Sequence, residues 1–275
     1  MVYLAIMKVL NGKELAEYIQ ERQGAQVRAL RQAHDILPKL SIIVTVENPI
    51  IDLYMRLKQR YGLELGVEVE VHRVDQADAP ARIKRLNGDA GVHGIIIQLP
   101  LADPSETDVL VNLVASEKDV DALGSKANYD PATPMAIMWL LAGYNVDLKS
   151  KRILLVGRGK LVGAPLEKML LASNIDVHVA DRDTVDLKAE TLEADIIITA
   201  TGSPAIIYAD MVKQGAVVVD AGVASEDGKT VGDVAPDVFE RNDLTLTPVK
   251  GGVGPLTVCA LFDNVIRAAR ARVQE

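Results

Sequence analysis

A single cysteine, Cys259, is all the thiol this chain contains. It cannot close a disulfide within the chain, so nothing in the sequence points to an oxidising compartment, and a cytoplasmic protein is expected. Positive charge is in deficit: 30 Lys and Arg stand against 38 Asp and Glu, for a net charge of -8. That balance argues against a nucleic-acid surface, which needs concentrated cations to displace counterions, although an acidic protein can still hold a local cationic pocket. Long apolar runs are also missing. The opening stretch MVYLAIMKVLNGKELAEY has no leading basic cluster and no small-residue cleavage site, and it is far too short to span a membrane; it is read as a first strand entering a helix. His34, His72, His93 and His178 are scattered, with no metal-ligand spacing, so no metal site is expected. There is no GxSxG nucleophile elbow, no GxxxxGK[ST] phosphate loop and no short-period repeat.

What remains is a globular composition, 49% hydrophobic and 25% charged over 275 residues, long enough for one large domain or two smaller ones. Apolar runs rich in β-branched residues recur at Leu40 to Val46, Val67 to Val74, Gly94 to Leu99, Arg152 to Val156, Val177 to Ala180, Ile196 to Thr199 and Ala216 to Val219. Continuous apolar strands of this kind belong to parallel sheets covered by helices. The segments Asn48 to Leu65 and Leu161 to Ser173 have the length of crossover helices, which makes the fold class α/β. A domain boundary is expected near Asp130 to Pro134, where a stretch rich in Gly, Asn, Asp and Pro gives way to the apolar helix Met135 to Leu141. A last apolar helix is expected over about 256–273.

The strongest local signal is KRILLVGRGKLVGAPL, residues 151–166, an apolar strand running into Gly157, Gly159 and Gly163 and then a helix. Such glycines permit a tight turn, close approach of backbone to a pyrophosphate and close packing of helix on strand, while the helix N-terminus favours phosphate charge. The GxGxxxG spacing is one residue wider than the commoner dinucleotide fingerprint, and a glycine turn without a ligand is the alternative. The next strand ends at Asp181, Arg182 and Asp183, where a dinucleotide fold meets the adenosine ribose. Acidic groups there suit a ribose diol, whereas arginine suits a 2′-phosphate. With Arg158 as a second guanidinium, NADP is preferred and NAD is kept as the alternative.

In the first half, Tyr54 and Lys58 lie four residues apart and so on one helix face. An amine held beside a phenol in an apolar pocket loses hydration and can exchange protons near neutrality. An exposed lysine with its stem along a core tyrosine fits the same spacing. The run GIIIQLP drives a strand to Gln98, and side chains at carboxyl ends of parallel strands face the ligand crevice. The tetrapeptide KDVD sets Asp119 and Asp121 just before a glycine-containing turn, and both also fit solvated loop charges.

Taken together these motifs resemble the methylenetetrahydrofolate dehydrogenase/cyclohydrolase family. The likeness runs through Asn48-Pro49 with Tyr54 and Lys58, then QLPL at 98–101, KDVD at 118–121, PATP at 131–134, GRGKLVGAP at 157–165, VGDV at 231–234 and TPVKGGVGPLT at 247–257. The resemblance implies an N-terminal three-layer α/β catalytic domain over 1–133 and a Rossmann-like, doubly wound NAD(P)-binding domain over 134–255. A C-terminal helix, 256–275, would pack back on the first domain, with folate in the cleft between the two and homodimers formed through the Rossmann domain. It implies that Lys58 is catalytic, supported by Tyr54 and Gln98, with Asp121 hydrogen-bonding the pterin. Tyr54, Leu99, Pro100, Gly254 and Pro255 would line the substrate. Thr133, Gly157, Arg158, Gly159, Leu161, Gly163, Arg182 and Thr257 would approach the dinucleotide. The partners implied are tetrahydrofolate derivatives, with no nucleic acid and no membrane. The reactions implied are oxidation of 5,10-methylenetetrahydrofolate and hydrolysis of the methenyl product to 10-formyltetrahydrofolate.

Four departures qualify that expectation. Ala122-Leu123-Gly124-Ser125 replaces the usual Gly-Phe-His-Pro, and the segment before PATP is shorter by roughly a dozen residues, a change that loops tolerate. Ile51 stands where many members have serine, Lys250 replaces a proline, and Asp181-Arg182-Asp183 adds negative charge to the cofactor loop. A dehydrogenase with an impaired cyclohydrolase step, a degenerate binding module and a Rossmann enzyme of the shikimate-dehydrogenase type are therefore kept as alternatives.

Overall fold

The computed structural model describes residues 8–226 and 229–273. In chain order the regular elements are β1 (Lys8–Val9), α1 (Gly12–His34), β2 (Lys39–Val44), α2 (Pro49–Leu65), β3 (Glu68–Arg73), α3 (Ala79–Gly88), β4 (Gly94–Ile97), α4 (Thr107–Val111), α5 (Ala132–Gly143) and β5 (Ile153–Val156). They continue with α6 (Gly163–Ala172), β6 (His178–Ala180), α7 (Leu187–Glu193), β7 (Ile196–Thr199), β8 (Val217–Asp220), β9 (Ala224–Glu226), β10 (Lys229–Val231), β11 (Thr245–Leu246) and α8 (Val253–Ala271). The chain divides into two compact units, one formed by residues up to Ala16 together with Thr133–Thr257, the other by Glu17–Ala132 with the stretch from Val258 onward.

In the unit containing Glu17–Ala132, three parallel strands lie in the order β3-β2-β4. The central strand β2 is apolar along nearly its whole length, and Leu40, Ile42 and Ile43 are fully buried, as expected of a strand covered on both faces. The chain leaves β2 for β3 on one side and returns to β4 on the other, so the carboxyl ends of β2 and β4 flank a point where strand order reverses, the usual ligand crevice of an open parallel sheet. The helix crossing from β2 to β3 is α2. Asn48 caps it, its side chain accepting the Ile50 N–H at 2.8 Å, and Pro49 occupies the first turn, where a missing amide hydrogen costs nothing. A single bridge between Ile95 and Asp119 brings the segment after α4 alongside β4.

The other unit holds a six-stranded sheet in the order β1-β11-β8-β7-β5-β6, parallel throughout. Its interior strands β5, β7 and β8 are short apolar runs, with Leu154, Ile197 and Val218 at most 1% exposed. Here β5 is the pivot: β6 lies on one side of it and β7 on the other, which sets the loops after β5 and β7 at the second reversal of strand order. The strand expected at the very start of the chain falls mainly on residues 1–7, outside the described residues; β1 follows them. It joins this sheet and not the N-terminal one, because the Lys8 amide donates to Leu244 O at 3.1 Å and the Leu10 amide to Leu246 O at 2.9 Å. Among the described residues, no helix is long and apolar enough to cross a membrane.

Candidate functional site

Two constellations stand at these two reversals, one in each unit. In the first, α2 presents Lys58, half-buried, and its ammonium donates to Gln98 Oε1 at 2.8 Å. Gln98 follows the last residue of β4, and its own Nε2 donates to Leu99 O at 2.7 Å, so the amide cannot swap its oxygen and nitrogen without losing both bonds. Leu99-Pro100 is a cis peptide. Burial holds the Lys58 amine below the ordinary lysine range, and the Asp121 carboxylate opposes that shift. In return, burial raises Asp121, and Lys58 pulls it back. Lys58, Gln98 and Asp121 thus come together as amine, amide and carboxyl at the carboxyl edge of the sheet. Tyr54 lies one turn earlier on α2, 38% exposed.

The tetrapeptide KDVD separates into different tasks. Lys118 is 1% exposed, and its ammonium donates to Leu86 O, Asn87 O and Asp89 O at 2.9, 2.9 and 2.6 Å, neutralising the carbonyl end of α3. Asp119, also buried, turns back to accept the Gly124 amide at 2.8 Å and closes the turn Ala122 to Gly124. Of the two carboxylates, Asp121 is the one whose charge acts on the Lys58 amine. Ile51, the residue without a hydroxyl, is 3% exposed in the first turn of α2 and is spent on packing.

In the second constellation, β5 runs into the glycine loop and α6 leaves it. Gly157 has φ 99, and a Cβ there would lie 2.8 Å from Ala200 O; a Cβ on Gly163 would lie 2.0 Å from Gly157 O. These two positions are closed to any side chain by the protein itself. Gly159 and Gly254 are not: a Cβ on Gly159 would meet nothing nearer than 3.9 Å, and one on Gly254 nothing within 4 Å. Packing does not require glycine at either, so both leave bare backbone open to a ligand, and at Gly159 that is what close approach to a pyrophosphate demands. This cradle fits a dinucleotide. Leu161 is 50% exposed on the same loop. Thr257 on α8 donates to Thr133 Oγ1 on α5 at 3.5 Å, which brings these two expected cofactor contacts together. Pro255 lies beside Gly254 in the first turn of α8, and Lys250 is exposed before it.

Arg158 and Arg182 differ in their surroundings. The Arg158 guanidinium forms a two-pronged pair with Glu167 of α6, Nε to Oε2 at 2.8 Å and Nη2 to Oε1 at 3.1 Å. Arg182 is exposed in the turn after β6 and has no hydrogen-bond or ion-pair partner among the described residues. Asp181 in that turn accepts the Asp183 amide at 3.0 Å, an Asx turn that shapes the loop.

Sequence reasoning left the motif VGDV without a task, and the fold supplies one. Asp233 accepts the Thr201 and Ser203 amides at 2.7 and 3.1 Å, holding the loop after β7. Asp220, at the end of β8, accepts amides from Gly222, Asp233 and Val234 at 2.9, 3.1 and 3.0 Å. The packing is reciprocal: a Cβ on Gly222 would fall 2.0 Å from the Asp233 carboxylate, and one on Gly232 would fall 2.0 Å from that of Asp220. The pattern G-D beside D-x-G was visible in the sequence, but only strand pairing shows that the two segments face each other.

Comparison with known proteins matches the same two halves. Residues 10–121 match the family model for the catalytic domain of tetrahydrofolate dehydrogenase/cyclohydrolase, and residues 131–273 match that for its NAD(P)-binding domain. A protein of Acholeplasma laidlawii described as bifunctional protein FolD is 38% identical over 270 residues, covering 94% of this chain and 96% of that protein. The crystal structure of the bifunctional methylenetetrahydrofolate dehydrogenase/cyclohydrolase FolD from Campylobacter jejuni is similar with a TM-score of 0.91 and 34% identity, covering 97% of this chain and 99% of that one. That of the Trypanosoma brucei dehydrogenase-cyclohydrolase, complexed with NADP and an inhibitor, gives a TM-score of 0.91 at 28% identity, covering 98% of this chain and 99% of that one.

Proposed function

The chain belongs to the tetrahydrofolate dehydrogenase/cyclohydrolase family, and from that premise we propose that it oxidises 5,10-methylenetetrahydrofolate with NADP as acceptor and hydrolyses the methenyl product to 10-formyltetrahydrofolate. NAD is the alternative acceptor. The observation that carries the reading is the bond of 2.8 Å between Lys58 and Gln98 in a setting that depresses the amine's proton affinity.

The dinucleotide, when bound, supplies the acceptor for the hydride. Gly157, Arg158, Gly159, Leu161, Gly163, Arg182, Thr133 and Thr257 are assigned to holding it. The chain's part in the oxidation is orientation, since fixing two reactants in attack geometry removes most of the entropic barrier. Tyr54, Leu99, Pro100, Asp121, Gly254 and Pro255 are assigned to holding the substrate, with Asp121 accepting hydrogen bonds from the pterin. The hydrolytic step needs proton management: water attacks the methenyl carbon and a proton must leave the adduct before the ring opens. A lysine whose charged form is disfavoured by burial takes that proton more readily than a solvated ammonium could, and Gln98 Oε1 fixes the amine in place. We also assign the protein to the cytoplasm and expect a homodimer formed through the unit that carries the glycine loop.

The test follows 5,10-methylenetetrahydrofolate with either dinucleotide, recording reduced cofactor and methenyl absorbance together. Reduced cofactor without persistent methenyl product is expected from the wild type. Lys58→Met should lower methenyl hydrolysis by about 10²–10⁴-fold, the usual worth of a positioned proton carrier. Hydrolysis at the wild-type rate in that variant would remove Lys58 from the mechanism.

A further inference from the structure

Glu167 has no place in any of the motifs above, yet it holds one of the two guanidinium groups assigned to the cofactor. Its carboxylate takes Nε and Nη2 of Arg158 side by side, the strongest geometry open to such a pair. The glutamate side chain is only 17% exposed, whereas that of Arg158 is 57% exposed. The carboxylate is therefore fixed by its helix, and the guanidinium reaches across to it. A phosphate approaching Arg158 would find two of its donor atoms taken and a negative charge within 3 Å or so of the same group, and like charges at that range repel. Asp181 and Asp183 flank the other arginine in sequence, so negative charge is built into both segments that carry a guanidinium. A ribose bearing only hydroxyls carries no charge for these carboxylates to repel.

We infer that Glu167 is a specificity-determining residue for the dinucleotide: it withholds Arg158 from a 2′-phosphate and so lowers the preference for NADP over NAD. The inference rests on the dinucleotide reading proposed above. It is tested by calorimetric titration of the full chain with NADP, with NAD and with 2′,5′-ADP as a probe of the phosphate alone. Glu167→Gln should tighten NADP and 2′,5′-ADP by about three- to tenfold and change NAD by less than about twofold. The gain should shrink as salt rises, because it is a charge effect on an exposed group. In an Arg158→Ala background the same substitution should give no selective gain, which assigns the effect to the pair. Glu167→Ala should behave as Glu167→Gln does, so that the result does not hang on one amide. Equal changes for both dinucleotides, no change for either, or a gain that survives without Arg158 would overturn the role of Glu167. A wild-type protein that binds neither dinucleotide would instead sink the cofactor reading itself.

Discussion

At the scale of single residues, the chemistry turns on two groups that burial perturbs in opposite directions and that each pull the other back. Burial lowers Lys58 and raises Asp121, and each partner's charge works against the other's shift. With the neutral amine as proton acceptor, methenyl hydrolysis rises with pH through the lowered Lys58 value. Asp121→Asn deletes the charge that favours the ammonium, so the amine gives up its proton at lower pH. The rising limb of the pH-rate profile should therefore move to the acid side; an unmoved or alkaline-shifted limb would mean that the two groups do not titrate together. The helix face of Lys58 and the strand end at Gln98 leave a mark in the sequence, but that spacing fits an exposed lysine as well, and it was the family resemblance that singled the two out. The difference between Asp119 and Asp121 was legible only through that resemblance, since two positions along an irregular segment can turn either way until the bridge to β4 fixes the segment. Glu167 was invisible for a related reason: no spacing rule links a loop arginine to a glutamate nine residues on. Ala122 shows the reverse case. It stands where the family resemblance has glycine and takes φ 56, the left-handed region where a side chain is strained.

At the scale of elements, the loops after β7 and β8 are held by the pair of aspartates and glycines described above. Gly232→Ala forces a methyl into Asp220, which accepts three backbone amides and the Thr199 hydroxyl. The expected cost is about 2–4 kcal/mol, the range for breaking a buried hydrogen-bonded network. Thermal unfolding measures it, and a midpoint equal to that of the wild type would show that the loops yield freely. Dinucleotide binding should weaken in step, because Ala200 and Thr201 abut Gly157. The long strands and crossover helices were readable from apolar runs, with ends displaced by a residue or two. The two-residue strands β1 and β11 and the hairpin β9-β10 were not. A stretch that short has no periodicity of its own and becomes a strand only because a neighbour offers an edge.

At the scale of the whole molecule, neither unit is a continuous piece of chain. The divisions fall at 16/17, 132/133 and 257/258, inside α1, α5 and α8 respectively. The unit with Lys58 therefore depends on residues from the far end of the sequence. Asn264 donates to Val120 O and Asp130 O at 2.9 Å each, and the Tyr61 hydroxyl on α2 donates to Gln23 Oε1 at 2.7 Å and lies 3.1 Å from the Cys259 sulfur. Phe262, fully buried, sets its ring 5.0 Å from that of Tyr61. A chain cut after Thr257 loses every one of these contacts except the Tyr61–Gln23 bond. Limited proteolysis should then cleave readily within 17–132 while 133–257 stays resistant, and equal resistance of both stretches would show that the lost segment is dispensable. A periodic sequence announces a helix but not which distant segment it will serve, which is why this dependence could not be read beforehand. Its effect is felt during synthesis. The amine-bearing helix is translated before the whole of 133–257, yet the partner that covers Tyr61 comes only after that stretch, so the unit begun first must wait for the other to be made before it can become native.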